Sequence, residues 1–166
     1  QQLATLGVQC DRHVTVPDDR TATVQAIRGA AAKGVDVVLV TGGLGPTADD
    51  LTRFALADVL KTDLELHQGS LDQIAEFFRR RRRPMPDVNQ VQAMIPRTAE
   101  PIENTCGTAP GMRARVNQAD VYFMPGVPGE MRMLFDRDIR PRVAAAAGGA
   151  VILQHALHTF GMPESQ

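Results

Sequence analysis

Aromatic residues, cysteine and excess charge of either sign are all scarce in this sequence. It has no tryptophan and one tyrosine, and its two cysteines, Cys10 and Cys106, stand far apart without CxxC or Cys/His spacing. This argues against a disulfide framework and against a structural zinc site. Eighteen basic and 19 acidic residues give a formal net charge of −1. We therefore expect a cytoplasmic domain that binds neither nucleic acid nor an anionic membrane.

Long apolar runs are also missing, because no segment approaches the roughly 18 to 20 residues of a membrane span. Hydrophobic residues at 43% and charged residues at 22% lie near the averages for globular domains. A chain of 166 residues is long enough to bury a single core without disulfides or metals. These values predict one soluble globular domain.

The first half of the chain alternates strand and helix patterns. Residues 8–16 are rich enough in β-forming residues for a strand, and residues 19–33 repeat apolar positions at helical spacing. Residues 35–40 are a nearly continuous β-branched run bounded by glycines, which is typical of a strand buried on both faces in a parallel sheet. The alternation predicts an α/β fold.

The second half continues with elements of both kinds. Helices are expected at 50–60, 71–82 and about 130–143, each with apolar residues on one face. A hairpin is expected from 112–116 and 121–124, and a further strand within 150–160.

A glycine-rich segment, residues 41–50, joins a predicted strand to a predicted helix. Glycines at the carboxyl end of a strand let backbone N–H groups approach an anion, so we expect a phosphate there. The spacing of Gly42, Gly43 and Gly45 matches neither GxGxxG nor GxxxxGK[ST]. The alternative is a purely structural turn, with Thr47 as the helix N-cap and Asp50 closing a capping box.

Asp49 and Asp50 follow this segment directly. Consecutive helical residues point about 100° apart, so the two carboxylates are not expected to chelate one metal together from a regular helix. Carboxylates beside a phosphate are unfavourable unless a divalent cation lies between them. A metal site and simple compensation of the helix dipole both remain open.

A second turn, residues 123–131, has the same order of strand, Pro/Gly loop and helix. Glu130 in it could bind a metal, act as a base, contact a ribose hydroxyl, or only begin a helix. The run Arg79–Arg83 stands at a predicted helix end, where cations complement the dipole, and is interpreted as a solvated surface.

Six segments in order resemble motifs of the amino-terminal domain of the competence/damage-inducible CinA family. They are TGGLGPT at 41–47, DDLTR at 49–53, RPMP at 83–86, QA at 92–93, GTAPG at 107–111 and PGVPGEM at 125–131. That family has the molybdopterin-binding (MoaB/MogA-like) fold. The resemblance implies a three-layer α/β/α domain with a mostly parallel central sheet and a small β-hairpin.

The same resemblance implies metal-dependent hydrolysis of a nucleotide diphosphate, ADP-ribose, to AMP and ribose 5-phosphate. The implied cofactor is magnesium, manganese or cobalt, held by Asp50 and Asp49, and Glu130 completes the catalytic set. The implied binding residues are Thr41, Gly42, Gly43, Leu44, Gly45, Thr47, Thr52, Asn89, Gln92, Thr108, Pro125, Gly126 and Val127. The expected partners are a small nucleotide or pterin phosphate and further copies of the chain.

Three positions depart from the family pattern. Val91 stands where many relatives carry a lysine, Phe54 replaces a glutamate, and Val127 replaces a serine of the molybdopterin-binding relatives. The first two departures favour an alternative function, a non-catalytic module that binds a nucleotide or molybdopterin. The third weakens the molybdopterin part of that alternative.

Domain boundaries follow from the same comparison. Residues 1–7 are typical of the last turns of a helix that ends at Gly7, so we expect the family's first strand to precede them. Residues 1–149 are expected to form the domain, and 150–166 a strand and linker toward a further domain.

Overall fold

The computed structural model describes residues 3–32 and 34–147. Within them the chain forms two units, Val14–Pro141 and a smaller unit of residues 3–13 with 142–147. The smaller unit holds a short 3-10 turn, Ala4–Leu6, which ends at Gly7 with φ 71°. The strand and linker expected at 150–166 lie outside the described residues.

Helices and strands alternate in the larger unit as far as Arg80, as the sequence predicts, and four strands then precede the next α-helix. Their bounds are α1 Arg20–Ala31, β1 Val37–Thr41, α2 Thr52–Leu60, β2 Leu64–Leu66, α3 Gln68–Arg80, β3 Met94–Pro96, β4 Glu100–Ile102, β5 Gly111–Val116, β6 Ala119–Met124 and α4 Pro128–Leu134. A π-helical turn, Phe135–Ile139, leads from α4 into α5, Arg140–Ala146. In the described part of the chain, no helix combines the length and the apolar character needed to cross a bilayer.

The main sheet has the strand order β1-β6-β5-β4. It is mixed: β1 and β6 pair in parallel, whereas β6 with β5 and β5 with β4 are antiparallel. The predicted hairpin is present as β5 and β6, and its turn contains Asn117 at φ 54°. Parallel pairing is found between β1 and β6, the two strands that lead into the two loops of interest.

Helices cover both faces of this sheet. Side chains of α1 and α2, among them Ile27 and Leu56, pack into one buried cluster with Met112 and Phe123 of the hairpin. Neighbouring strand residues point to opposite faces, so Gly111 faces away from that cluster. A Cβ added at Gly111 would lie 2.6 Å from Leu134 Cδ2, which places α4 on the opposite face. The α/β fold with flanking helices is thus confirmed.

Several local expectations were wrong. Residues 8–16 form no strand, and Val14 is 58% exposed, because β propensity alone supplies no pairing partner. β1 is only partly buried, since it has a neighbour on one side among the described strands. The helices expected at 50–60 and 130–143 are both present, with starts two residues away, at Thr52 and Pro128, but the second was not expected to contain a π-helical turn.

A small second sheet pairs β2 with β3 in antiparallel register and was not predicted. Strands of three residues are too short to show the alternation of apolar and polar positions from which strands are predicted.

Packing of α4 on the sheet leads to a stability prediction. Leu134 is fully buried, whereas Leu66 of β2 is 50% exposed. We expect Leu134→Ala to lower the free energy of unfolding by about 2–5 kcal/mol, because it leaves a cavity against the sheet. Leu66→Ala removes the same atoms from a solvent-exposed position and should change the free energy of unfolding by less than about 1 kcal/mol. Urea unfolding of both variants measures this, and equal losses would contradict the assigned packing.

Candidate functional site

Two loops at the carboxyl ends of neighbouring parallel strands form the candidate site. β1 and β6 end opposite each other, with Thr41 paired to Met124. The Gly42 N–H donates to the Met124 carbonyl oxygen at 2.9 Å. A Cβ added at Gly126 would lie 3.3 Å from the Gly42 Cα, so the two loops are in contact. The carboxyl edge of an α/β sheet is where ligands of such folds bind.

A cleft of about 340 Å³ opens between the loops. Its lining residues are Gly42, Gly43, Leu44, Gly45, Pro46, Asp50, Gln92, Thr108, Ala109, Pro125, Gly126, Val127 and Glu130. Most of the residues expected from the sequence to bind phosphate or ribose are among them. The fold thus brings together side chains that are up to 88 positions apart, from Gly42 to Glu130.

Backbone donors are available on both sides of this cleft. In the part of the chain that the structure describes, the N–H groups of Gly43, Leu44, Gly126 and Val127 donate to no protein acceptor. Gly42 and Gly43 have φ values of 92° and 67°, which a residue with a Cβ rarely adopts. Successive free N–H groups in such a turn make a concave site suited to an anion.

Arg53 holds the glycine loop in place from behind. Its side chain is 2% exposed and is the largest fully buried side chain described. Nη1 donates to the Val91 carbonyl oxygen at 2.9 Å, and Nη2 donates to the carbonyl oxygens of Leu44 and, at 3.1 Å, Gly45. Burial lowers the pKa of Arg53 to about 10, although the charge of Asp50 opposes this, so the guanidinium stays charged at neutral pH.

Asp50 places a carboxylate on the cleft wall. Its Oδ2 accepts hydrogen bonds from the Thr47 N–H at 2.9 Å and from the Thr47 hydroxyl at 2.6 Å. Partial burial raises the pKa of Asp50, but these bonds, a backbone bond from Gly45 and the Arg53 charge together lower it below its usual value. Asp50 is therefore ionised at neutral pH.

The structural alternative for this segment is only partly right. Thr47 and Asp50 are hydrogen bonded in the manner of a capping box, but α2 begins five residues after Thr47 and its N-cap is Leu51. Thr47 therefore does not cap the helix.

Glu130 faces the cleft from the second loop and is held by Asn104. Asn104 Nδ2 donates to Glu130 Oε2 at 2.7 Å and to the Ala109 carbonyl oxygen at 2.9 Å. Asn104 Oδ1 accepts from the N–H groups of Cys106 and Gly107. A Cβ added at Gly107 would overlap Glu130 Oε2, so the backbone passes directly against the carboxylate. Asn104 thereby joins the 104–109 loop to Glu130.

The remaining expected residues take different positions. Gln92 lines the cleft, and the buried Asn89 lies behind it, donating to Gln92 Oε1 at 2.8 Å. Thr52 is buried and donates from Oγ1 to the Gly42 carbonyl oxygen at 2.9 Å. Thr41, Thr47 and Asp49 are exposed and do not line the cleft.

Two residues that shape the site were not expected from the sequence. Arg53 looked like an ordinary helix residue, because hydrophobic periodicity does not reveal a buried guanidinium. Asn104 begins an irregular segment, where asparagine is typical of an Asx turn, in which its side chain accepts from the N–H two residues on, here that of Cys106.

Metal binding by this cleft would need ligands from outside the protein. Among residues 3–32 and 34–147, no three His, Cys, Asp or Glu side chains group as a candidate metal site. Asp50 and Glu130 nevertheless line one cleft, and in the described structure Glu130 Oε1 is engaged by no donor. One or two carboxylates with substrate phosphates are the usual ligands of protein-bound magnesium. The residues fit a cation that is shared with a bound phosphate.

A second cavity of about 500 Å³ adjoins the glycine-rich segment at Pro46, Thr47 and Ala48. Its lining residues are Arg20, Pro46, Thr47, Ala48, Leu51, Arg53, Phe54, Asp87, Val88 and Val91. Pro46 lines both this cavity and the cleft. Phe54 and Val91, two of the departures from the family pattern, thus face the same space.

Comparisons with known proteins agree with this architecture. Residues 1–145 match the family described as "Probable molybdopterin binding domain". A CinA-like protein from an Anaeromyxobacter species is 44% identical over 164 residues, covering 99% of this chain and 40% of the relative. A CinA-like protein from Desulfosudis oleivorans is 38% identical over 167 residues, again covering 99% and 40%. The chain thus spans about 40% of the length of these curated relatives.

Solved structures of CinA and of molybdopterin biosynthesis proteins are also similar to this chain. CinA from Thermoplasma acidophilum matches with a TM-score of 0.73 at 33% identity, covering 82% of this chain and 79% of that one. MoaB from Thermus thermophilus, a molybdopterin biosynthesis enzyme, matches with a TM-score of 0.53 at 18% identity, covering 90% and 81%. The second likeness shows the fold alone. The chain therefore belongs to the CinA family, as its amino-terminal domain with the molybdopterin-binding fold.

The role of Arg53 can be tested by stability. Arg53→Met keeps most of the side-chain volume but leaves the carbonyl oxygens of Leu44, Gly45 and Val91 without their charged donor. We expect it to lower the free energy of unfolding by on the order of 3 kcal/mol. Arg28→Met is the control, because Arg28 also donates to a carbonyl oxygen, that of Asp58, but does so in solvent. Urea unfolding that gives similar values for both variants would contradict the assigned role.

The contact between Asn104 and Glu130 predicts a pH dependence. Asn104→Asp places a second carboxylate against Glu130, and the repulsion between the two like charges in the folded state is relieved when one carboxyl group binds a proton. Stability should therefore be highest when that group is protonated and fall as the pH rises from about 4 to 7, relative to the parent chain. Asn117→Asp, at the exposed hairpin turn, is the control. Identical pH profiles of unfolding for the two variants would show that Asn104 does not touch Glu130.

Proposed function

We propose that the cleft between the two loops binds a nucleotide diphosphate and hydrolyses it with the help of a divalent cation. ADP-ribose, cleaved to AMP and ribose 5-phosphate, is the proposed substrate. The observation that carries this proposal is the composition of the cleft: unpaired backbone N–H groups lie beside two carboxylates, Asp50 and Glu130. N–H groups suit the phosphates, whereas the carboxylates would repel them unless a cation lay between.

The glycine loop would bind and orient the diphosphate. Gly43 and Leu44 on one side and Gly126 and Val127 on the other would donate N–H groups to its oxygens. Arg53 keeps the first pair in position through the carbonyl oxygens of the same loop. A preorganised set of donors stabilises charge that develops on a phosphoryl group without rearranging during the reaction.

Asp50 and Glu130 would hold the cation, which when bound supplies charge neutralisation and lowers the pKa of a water molecule. Asp50 suits this role because hydrogen bonds from Thr47 and Gly45 keep its pKa low and its carboxylate ionised. Glu130 is oriented by Asn104 through Oε2, which leaves Oε1 available. Gln92 and Thr108 would bind the ribose or phosphate oxygens at the same cleft.

A second candidate is a non-catalytic module that binds a nucleotide or a pterin phosphate. The observation that favours it is the position of Asp49, which is exposed and outside the cleft, so that Asp50 is the only aspartate of the motif among the lining residues described. Binding without turnover would support this second candidate over the first.

The direct experiment is an assay of AMP released from ADP-ribose by this chain, with magnesium, manganese, cobalt or EDTA. Turnover that requires a metal would support hydrolysis. If ADP-ribose binds but is not cleaved in any of these conditions, the proposed hydrolysis is overturned in favour of the binding module.

The role of Asp50 gives a mutational prediction. Asp50→Asn keeps an acceptor for Thr47, so the fold should persist, but it removes the charge that holds the cation. We expect a loss of at least 100-fold in kcat/KM, or about 2.7 kcal/mol of transition-state stabilisation. Asp36→Asn, on an exposed residue before β1, is the charge-matched control and should leave activity within two- to threefold, a change of about 0.6 kcal/mol or less. Full activity of the Asp50 variant would rule out its role.

A further inference from the structure

We propose that the second cavity, beside α2, binds the planar heteroaromatic ring of the nucleotide whose phosphates occupy the cleft. The proposal rests on the proposed function, in that it assigns the nucleobase half of the same ligand. It also makes Phe54 a residue that determines specificity, because that side chain forms an aromatic wall of the cavity.

Most of the exposed surface of this cavity is apolar, although Arg20, Thr47, Arg53 and Asp87 also line it. Pro46, Leu51, Phe54, Val88 and Val91 supply apolar surface. Val88 is 55% exposed, which is high for a large aliphatic side chain and leaves its surface accessible to a ligand. A concave, mostly apolar space with a few placed polar groups is the usual environment for a flat organic ligand.

An arginine stands beside the aromatic wall in a defined position. The Arg20 guanidinium carbon lies 5.7 Å from the centre of the Phe54 ring. Two hydrogen bonds to Asp58, both 2.7 Å, hold that guanidinium. Nucleobases stack on aromatic side chains and on guanidinium groups. Such stacking does not depend on which hydrogen-bond donors and acceptors a base carries, because every base has a π-face.

The cavity and the cleft meet at Pro46, which lines both. Their volumes of about 500 and 340 Å³ lie within the range of small-molecule sites. The cavity combines apolar side chains and an aromatic ring with the polar residues Arg20, Thr47, Arg53 and Asp87. The cleft adds free backbone N–H groups and two carboxylates to its apolar residues. A nucleotide has the same division between an apolar ring and charged phosphates. This correspondence is why we assign the two spaces to one ligand.

The test measures binding rather than turnover. AMP and ribose 5-phosphate, the two halves of ADP-ribose, are titrated into the chain by calorimetry, and a phosphorylated pterin, dihydroneopterin triphosphate, is titrated in parallel. Phe54→Ala should weaken AMP binding roughly 5- to 100-fold, since stacking on one aromatic ring contributes that much to the affinity of a base. Ribose 5-phosphate, which has no aromatic ring to stack, should bind equally to the parent and the variant.

The chain offers a matched control in Phe77. It also has a guanidinium over its ring, with Arg81 at 3.5 Å, but it lies on α3 and does not line the cavity. Phe77→Ala should leave AMP binding unchanged. Val88→Asp is a second test variant. Val88 is exposed, so the substitution should not disturb core packing, and it would place a negative charge on the cavity wall. It should weaken AMP binding as Phe54→Ala does.

The outcomes separate this proposal from the proposed hydrolysis. Selective loss of AMP binding in the Phe54 and Val88 variants supports the ring site, even if ADP-ribose is never cleaved. Cleavage of ADP-ribose with unchanged KM and unchanged AMP affinity in both variants overturns the ring site and leaves the hydrolysis standing. Tighter binding of the pterin than of AMP, lost in the same variants, overturns the nucleobase assignment. Failure of every phosphate ligand to bind overturns both proposals.

Discussion

The buried guanidinium of Arg53 is the constraint on which the glycine loop depends. Removing a charged group from water is unfavourable unless its donors are satisfied, and here they are satisfied by carbonyl oxygens of Leu44, Gly45 and Val91. Because those carbonyls turn toward Arg53, the loop is fixed with the N–H groups of Gly43 and Leu44 left without a protein acceptor. A charge in the core thus determines the shape of a surface that could bind an anion.

The chemistry of the cleft follows from what that arrangement leaves exposed. Free N–H groups attract phosphate oxygens, whereas Asp50 and Glu130 attract a cation, and both kinds of group line the same space. Each carboxylate is held by a neighbour, Asp50 by Thr47 and Glu130 by Asn104. Preorganisation of this kind is what a site needs if it is to stabilise a charged transition state rather than only bind its ligand. Membership of the CinA family is consistent with such a site, and the hydrolysis proposed above assigns a reaction to it.

Local patterns were sufficient to predict the elements that carry the site. The β-branched run before the glycines and the periodic helices on either side predicted α1, β1, α2 and α3 within a few residues. Three features depend on contacts that no local pattern encodes. Residues 8–16 have β propensity but no pairing partner, β2 and β3 are too short to show a period, and the burial of Arg53 is decided by loops distant in sequence. The sequence also did not show which of Asp49 and Asp50 is the better candidate metal ligand. Only the conformation of the loop places Asp50, and not Asp49, on the cleft wall.

The most direct measurement is a titration of the ¹⁵N-labelled chain with ADP-ribose, followed by the backbone amide resonances. The central claim is that two loops form one phosphate site, so the amides of Gly43, Leu44, Gly126 and Val127 should shift together and saturate at one concentration. Amides of the hairpin turn at Asn117 and Gln118 should stay unchanged. Saturating binding that shifts other residues and leaves those four amides in place would contradict the account.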